Sequence, residues 1–312
     1  MNSLVNNQIE NNVVKNRTEI LFLYEIENGN PNGDPLNENR PRYDVDNRTC
    51  LVSDVRLKRT IRDYLFEYKN YNGTNGKDIF VRETIYEENN KEYIKDAKRR
   101  SKDFNAGKEQ ILNSCIDIRM FGGVIPLEND SITFTGPVQF QMGRSLHKVE
   151  IITEQGTGAF ASGDKKTQKT FRTEYKLPYA LIGFNGIINE NAAKYTKMTE
   201  DDKNLLFESI WEGTKNLITR SKFGQEPLFL MFIDYKEPFY ISNLRQKIKL
   251  DSQLDDTQIR STNDYKLDFT EIVNILKKYE VKIEKISVCK NDKLNIIANG
   301  NNLIIKDNRL IL

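Results

Sequence analysis

The run Glu19–Ile26 (EILFLYEI) is apolar, of strand length, and cut off by Asn28–Gly29, so the structured part of the chain is expected to begin with a strand. Gly29–Asn47 is dense in Asn, Gly, Pro and Asp and reads as an extended loop. Pro31, Pro35 and Pro41 push each preceding residue towards extended backbone and restrict that loop. A helix is predicted from Ser53, a good N-cap residue, with Asp54 favourable in its first turn. Leu57, Ile61, Leu65 and Tyr68 recur at helical spacing as its buried stripe, and Arg56, Lys58, Arg59 and Arg62 project from its other faces.

The rest of the chain continues the alternation. Cys115–Phe121 (CIDIRMF) alternates like a strand and stops at Gly122–Gly123, and Ser131–Met142 repeats the pattern with Pro137 at an edge or bulge. His147–Tyr175 has a strand-like start, a small-residue tip at Gly156–Gly163 and a basic return, which suits a protruding hairpin. Tyr179–Ile188 then reads as a core strand, Asp201–Arg220 as the clearest helix and Pro227–Tyr235 (PLFLMFIDY) as a buried strand. Phe269–Tyr279 reads as a helix, Val281–Val288 as a strand, and the tail beyond Lys293 as a hairpin turning at Asn299–Gly300–Asn301.

This order predicts an α+β fold with helices on one face of an antiparallel sheet, the specific version being a ferredoxin-like core with long insertions. One domain is expected over residues 18–312, with insertions at 70–114 and 146–176. Residues 1–17 are expected to be a disordered tail.

Composition narrows the function classes. Of 312 residues, 38% are apolar and 29% charged, and no apolar run approaches the roughly 20 residues that span a bilayer. The Asn-rich start lacks the charged-then-apolar order of a signal peptide, so a cytoplasmic, non-membrane protein is expected. His147 is the only histidine, which nearly removes Ser–His–Asp, Cys–His and multi-histidine metal chemistry. Cys50, Cys115 and Cys289 match no metal-ligand spacing and read as reduced structural thiols. No cofactor is implied.

Net charge is only +2, but the basic residues are clustered. Ser53–Arg62 holds four against one acid, Lys91–Lys108 seven against three, and Asp164–Lys176 five against two. Phe104 lies beside Arg99–Arg100, and Phe160 and Phe171 flank Lys165–Lys166, a mixture that suits single-stranded nucleic acid as well as a solvated surface. On the Ser53–Arg62 helix the acids are scarce, so its cations are expected to lack i,i+4 partners and to be open to phosphate. The Gly29–Asp34 loop is no Walker loop and no GxGxxG. It is either an ordinary connection rich in turn formers or a set of backbone amides aimed at phosphates. Asp34, Asp44 and Asp46 cap turns or, converging, would bind a divalent ion and activate water.

Read together, the motifs YEIENGNPNGDP (Tyr24–Pro35), NRPR (Asn39–Arg42), LVSDVRLKRTIRDY (Leu51–Tyr64), DIRMFGGV (Asp117–Val124) and GPVQFQMGRS (Gly136–Ser145) resemble a known family. It is the CRISPR-associated backbone subunit of type I Cascade complexes, the Cas-seven family, in its I-B and I-C branches. Phe171–Tyr179 resembles the return from that family's thumb, and after residue 200 the match lies in element order.

The resemblance implies a modified RNA-recognition (RRM-like) palm that polymerises with copies of itself along a guide RNA, with a thumb hairpin that displaces a base at intervals. The guide then pairs with target DNA, other Cascade subunits complete the complex, and a recruited helicase-nuclease degrades the DNA. By the resemblance, Ser53, Arg56, Lys58, Arg59 and Arg62 would hold guide phosphates. Asn30, Asn32 and Arg42 would shape the palm loop, Gly122 and Gly123 would let RNA approach closely, and Arg144 would join the RNA-binding set. Phe160 would be the thumb's wedge. The related type III backbone subunits cut bound RNA with a loop aspartate. A metal-dependent ribonuclease using Asp34 is therefore the rival, and an interaction protein without nucleic acid the third possibility.

Overall fold

The computed structural model describes residues 12–128, 130–161, 169–303, 305–306 and 309–310. At its centre β1 (Thr18–Gly29) lies antiparallel between β8 (Lys169–Ile188) and β9 (Gln225–Tyr235), so that Phe22 is opposite Phe184 on one side and Leu230 on the other. Outside β9 runs β10 (Ile283–Lys290). Against β8 pair β5 (Val138–Phe140) and β6 (Gly143–Ser145), and β6 in turn pairs with β2 (Thr49–Val52). All these pairings are antiparallel.

Period-two geometry splits β1 between two cores. Ile20, Phe22, Tyr24 and Ile26 belong to the core that contains Leu57, Ile61 and Leu65 of α1 (Asp54–Tyr68) and Leu206 and Ile210 of the long helix Glu200–Lys215. Leu21 and Leu23 belong to a second core with Leu244, Ile259, Leu267 and Phe269 from the C-terminal third. A strand covered on both faces has no solvent side to make polar, hence the unbroken apolar run. Burying each such side chain contributes about 1.5–3 kcal/mol.

Residues 70–114 build a third, smaller core. The segment folds as an exposed hairpin (Ile85–Glu88 with Lys91–Ile94) and helices α2 (Ala97–Lys102) and α3 (Lys108–Ser114), and its Phe80, Phe104, Ile111 and Leu112 pack with Cys115, Ile118, Ile125 and Phe134. Ile152–Ala161 (β7) pairs with the first part of β8 as a hairpin, Ile152 opposite Lys176 and Ala161 opposite Lys169. One continuous strand therefore runs from this hairpin into the central sheet. The result is a mixed α+β molecule around one large sheet. Among the described residues no helix is long and apolar enough to cross a membrane.

Several elements depart from the sequence expectation. Cys115–Phe121 is not a strand: Ile116–Phe121 is a helix, α4. Alternation over so few residues fits either period, and Asp117 settles the matter. Its carboxylate is fully buried, accepts the amides of Phe80 (2.8 Å) and Val81 (3.1 Å), and meets Arg62 at 2.9 Å. Ser131–Met142 is broken at Gly136–Pro137 into β4 (Ser131–Thr135), which pairs with β3 (Gly122–Pro126), and β5. Tyr68 is half-exposed and outside the buried stripe of α1.

The second long helix stops at Lys215 rather than at Arg220, where Asn216 folds its side-chain amide back onto the Glu212 carbonyl (2.8 Å). With α5 (Glu190–Thr196) before it, that helix is α6. The tail expected to be disordered through residue 17 is packed from residue 12 onward. Val14 is fully buried, its amide donates to Met198 O (2.9 Å), and Arg17 pairs with Glu190. Residues 1–11 lie outside the described residues.

His147 is a buried packing residue. Its Nδ1 faces the carbonyls of Lys148 (2.9 Å) and Asp256 (3.1 Å), its Nε2 accepts the Leu181 amide (3.2 Å), and burial pushes its pKa down. It stays neutral and ties the hairpin's base to the C-terminal third.

Candidate nucleic-acid interface

The Gly29–Asp34 loop is a clamp between two other segments. The Asn30 amide donates to Ser221 O (2.8 Å), and its side-chain amide donates to Asn39 O (2.7 Å). Asn32 Oδ1 accepts both the backbone amide and the hydroxyl of Ser53, each at 2.8 Å. Ser53 occupies the N-cap position, but its hydroxyl is spent on Asn32, so no side chain caps the first turn of α1. Both asparagines thus work inside the protein, Asn32 holding the start of α1 against the loop and Asn30 tying the loop to Ser221 and Asn39.

The basic helix is less open than its sequence suggests. Lys58 pairs with Asp54 (2.9 Å) and Arg59 with Asp63 (2.6 Å), each four residues apart, and Arg62 with the buried Asp117. The expectation of cations without i,i+4 partners fails because Asp54 and Asp63 sit where they neutralise two of the helix's four bases. Arg56 differs: its Nη2 donates to Thr60 Oγ1 (2.9 Å), its Nε is buried without a partner, and among the described residues it has no carboxylate partner.

Arg42 is tied to the same loop: its amide donates to Asn32 O (3.0 Å), and Asn32 in turn holds Ser53. Its guanidinium approaches Asp34 only at 3.6 Å, and its Nε is likewise buried and unpartnered. Arg40 stacks on Tyr175 at the base of the hairpin, 4.2 Å from the ring centroid, and donates to the Tyr175 hydroxyl (3.0 Å), which donates to Glu38 (2.7 Å).

Sequence reasoning missed the turn at residues 217–224, having counted Arg220 into the helix. Arg220 pairs with Glu174 (2.8 Å), while Lys222 donates to the Asn30 carbonyl (2.9 Å) and has no carboxylate partner among the described residues. Burial, reinforced by the Arg56 guanidinium nearby, pushes the Lys222 ammonium down to about 8. Phe223 beside it is 73% exposed and Ile218 66%. The available signal was Thr219–Gly224 (TRSKFG), two cations next to an aromatic and a glycine.

The remaining candidates fall elsewhere. Gly122 ends α4 with φ +67°, and a Cβ there would meet Phe134 O at 2.2 Å and Gly136 N at 2.4 Å. The close approach it permits is therefore to the chain's own β4. A Cβ on Gly123 would meet only Ile118 Cδ1, at 3.4 Å. Arg144 pairs with Asp44 (2.8 Å), and this hydrogen bond with two from Asn47 holds the Asp44 carboxyl down to about 2. Asp34 accepts the Leu36 amide (3.3 Å) in its own turn.

Arg100 and Phe104, expected on a basic aromatic surface, are buried together, with Arg100 paired to Asp78 (2.6 Å) and Asp103 (2.9 Å). Arg99 covers the Tyr86 ring at 3.9 Å. Lys165 and Lys166 lie outside the described residues, as do the side chains of Phe160 and Phe171.

A protein-family model for "CRISPR-associated protein Cas7" matches residues 16–270. The chain belongs to the Cas7 family. A Cas7 protein of Haloferax volcanii is 30% identical over 309 residues, covering 90% of this chain and 88% of that one. A chain of a CRISPR RNA-guided surveillance complex in its pre-nicking form shares the fold with TM-score 0.54 at 11% identity, over 91% of this chain and 95% of that one. A chain of another such complex gives 0.51 at 11% identity, over 88% and 89%. In this Cas7 family member the loop, the start of α1 and the 217–224 turn meet at one end of β1, where unneutralised cations gather.

Proposed function

We propose that this Cas7 family member is a non-catalytic guide-RNA-binding subunit that polymerises along the RNA as the helical backbone of a type I Cascade complex, of the I-B kind. It presents the guide for pairing with target DNA, alongside other Cascade subunits and a recruited helicase-nuclease, in the cytoplasm. The observation that carries this reading is family membership across residues 16–270. The palm is RRM-like. Supporting that detail, strands at 225–235, 18–29, 177–188 and 138–145 lie side by side in that order, with α1 and α6 packed on one face. This is the order of a ferredoxin-like sheet.

The hairpin of β7 and β8 is the thumb, with Phe160 as its wedge, and its return strand passes straight into the palm. Arg42 and Arg56 are the phosphate ligands best supported by geometry, having donors without protein partners. Lys58 and Arg59 reach phosphate by exchanging their exposed carboxylate partners, while Ser53, Asn30 and Asn32 set the surface on which the backbone lies. Arg144, on β6 of the central sheet, joins that surface, while Gly122 and Gly123 serve the turn between α4 and its neighbouring hairpin. The Asp34 carboxylate, engaged by Arg42 and its own turn, supports a structural rather than a cutting role.

The test is expression with the natural neighbouring subunits, followed by recovery of bound RNA. Guide-sized RNA is expected with the parent protein, and Arg42→Ala with Arg56→Ala should give soluble protein depleted of it. Undiminished RNA in the double variant would refute the assignment.

A further inference from the structure

Asn30 holds more than the loop it belongs to. It is buried, and its polar groups reach two other segments of the chain. Its backbone amide donates to Ser221 O (2.8 Å) and its carbonyl accepts Lys222 Nζ (2.9 Å), both in the 217–224 turn. Its side-chain amide donates to Asn39 O (2.7 Å), in the short hairpin that Gly33–Asp34 makes with Arg40–Pro41. That short hairpin is closed on itself, since Asp34 O accepts the amides of Asn37 (3.0 Å) and Asn39 (2.9 Å). Two arms therefore leave one buried anchor.

Both arms reach the junction between the central sheet and the protruding hairpin of β7 and β8. Leu177 is the outermost β8 residue paired with β1, opposite Gly29, and Lys176 next to it pairs with Ile152 of β7. Between the pairs Glu27–Tyr179 and Gly29–Leu177 sits Pro178, which has no N–H to give the ladder, and on β1 Asn28 takes φ +47°. The backbone is thus weakly tied where the hairpin's direction is set. Just outside it, successive residues face opposite sides of the strand. Tyr175 carries the Arg40 guanidinium over its ring, 4.2 Å from the centroid, and its hydroxyl accepts from Arg40 (3.0 Å) and donates to Glu38 (2.7 Å). Glu174, on the other side, takes Arg220 in a two-pronged pair, Nε at 2.8 Å and Nη2 at 3.3 Å. One arm grips each face of the hairpin's base. Exposed ion pairs contribute little to stability, so their opposed placement bears on direction rather than on folding.

We propose that Asn30, the 33–41 arm and the 217–224 turn form a two-sided clamp on Tyr175 and Glu174 that sets the angle at which the hairpin leaves the sheet. Glu38, Arg40 and Arg220 act in it as positioning residues. The arms run into Arg42 and contain Lys222, so a nucleic-acid strand lying on them is coupled to the hairpin's angle through one anchor, and the coupling is reciprocal. The coupling rests on the RNA-binding reading above; the clamp itself rests on contacts within the chain.

The test uses the full chain with Cys289→Ser, spin-labelled at Leu36→Cys on the tip of the first arm and at Gln155→Cys on the hairpin, both exposed positions. Pulsed electron paramagnetic resonance reads the separation of the labels. The parent should give one narrow distance distribution. Tyr175→Leu, which frees the hairpin from the labelled arm, should lengthen and broaden it. Glu174→Ala, which frees it from the opposite arm, should broaden it towards shorter distances, and the double variant should be broadest. Tyr175→Phe, which keeps the ring against Arg40, should stay close to the parent. Melting curves confirm that each variant is folded.

Neither Tyr175→Leu nor Glu174→Ala removes a cation, so RNA affinity lost in the double variant cannot come from a lost phosphate contact. That variant should bind a single-stranded oligouridine RNA several-fold more weakly, and saturating RNA should narrow the distribution in the parent. Equal distributions in the parent and the double variant would overturn the clamp. A parent that binds RNA with its distribution unchanged would overturn the coupling. A parent that binds no RNA would overturn the reading on which the coupling rests, while the distances in free protein still decide the clamp.

Discussion

Arg56 and Arg62 stand on one helix in the same basic run, yet their surroundings predict opposite consequences of substitution. Arg62 is 13% exposed and its carboxylate partner Asp117 is fully buried. Replacing Arg62 with Met leaves Asp117 with two backbone amides and no cation. Breaking a buried pair by removing one member costs about 3–5 kcal/mol. The retained amides of Phe80 and Val81 place this case at the lower end, about 3 kcal/mol. Against a total stability of about 5–15 kcal/mol that is a large fraction.

Arg56→Met removes a cation that has no carboxylate to satisfy, and should change stability by less than about 1 kcal/mol in either direction. Denaturant unfolding reads the stability change, and RNA anisotropy on folded protein reads the binding change. Arg62→Met should unfold at clearly lower denaturant. Arg56→Met should unfold like the parent and bind RNA poorly. Asp117→Asn combined with Arg62→Met should recover part of the loss, since it removes the stranded charge. If Arg62→Met is as stable as the parent and loses RNA as Arg56→Met does, the claim that Asp117 commits Arg62 to the fold is wrong.

Three other outcomes follow from particular contacts. Lys222 is free to titrate near pH 8, Arg56 being the charged group that faces it, and a bound phosphate favours its charged form. Any contribution it makes to RNA affinity is therefore full well below pH 8 and fades as pH rises above it, and Lys222→Arg should remove that step, since arginine stays charged throughout. Gly122→Ala combines a left-handed φ with a Cβ driven into Phe134 O, and should destabilise by about 2–4 kcal/mol, read as a fall in melting temperature and soluble yield. Phe223→Ala should lower RNA affinity by removing a stacking surface worth about 1–3 kcal/mol, without changing the slope of affinity against salt.

Much of the fold was legible because it rests on local pattern. The Glu19–Ile26 run, the helix after Ser53 and the tail turn at Asn299–Gly300, where both residues take positive φ, are where periodicity and turn chemistry put them. What the sequence hid was pairing across distance. The role of Asp117 depends on an arginine fifty-five positions earlier, so a buried ion pair was read as one beat of strand alternation.

The candidate site was hidden in the same way. Helix spacing located the basic run but did not reveal that Asp54 and Asp63 neutralise Lys58 and Arg59. The continuing apolar stripe through Leu217 and Ile218 concealed the turn that Asn216 makes, and with it Lys222. The motif order was readable from spelling, while which cations remain free is a property of the packed chain.

The account's central claim is that copies of this chain line up along RNA, and native mass spectrometry of the purified chain with guide RNAs of two lengths tests it most directly. The number of copies per RNA should rise with length by a fixed footprint, and the Arg42 and Arg56 variants should lower occupancy on both. A single copy regardless of RNA length, or no RNA-bound species at all, would contradict it.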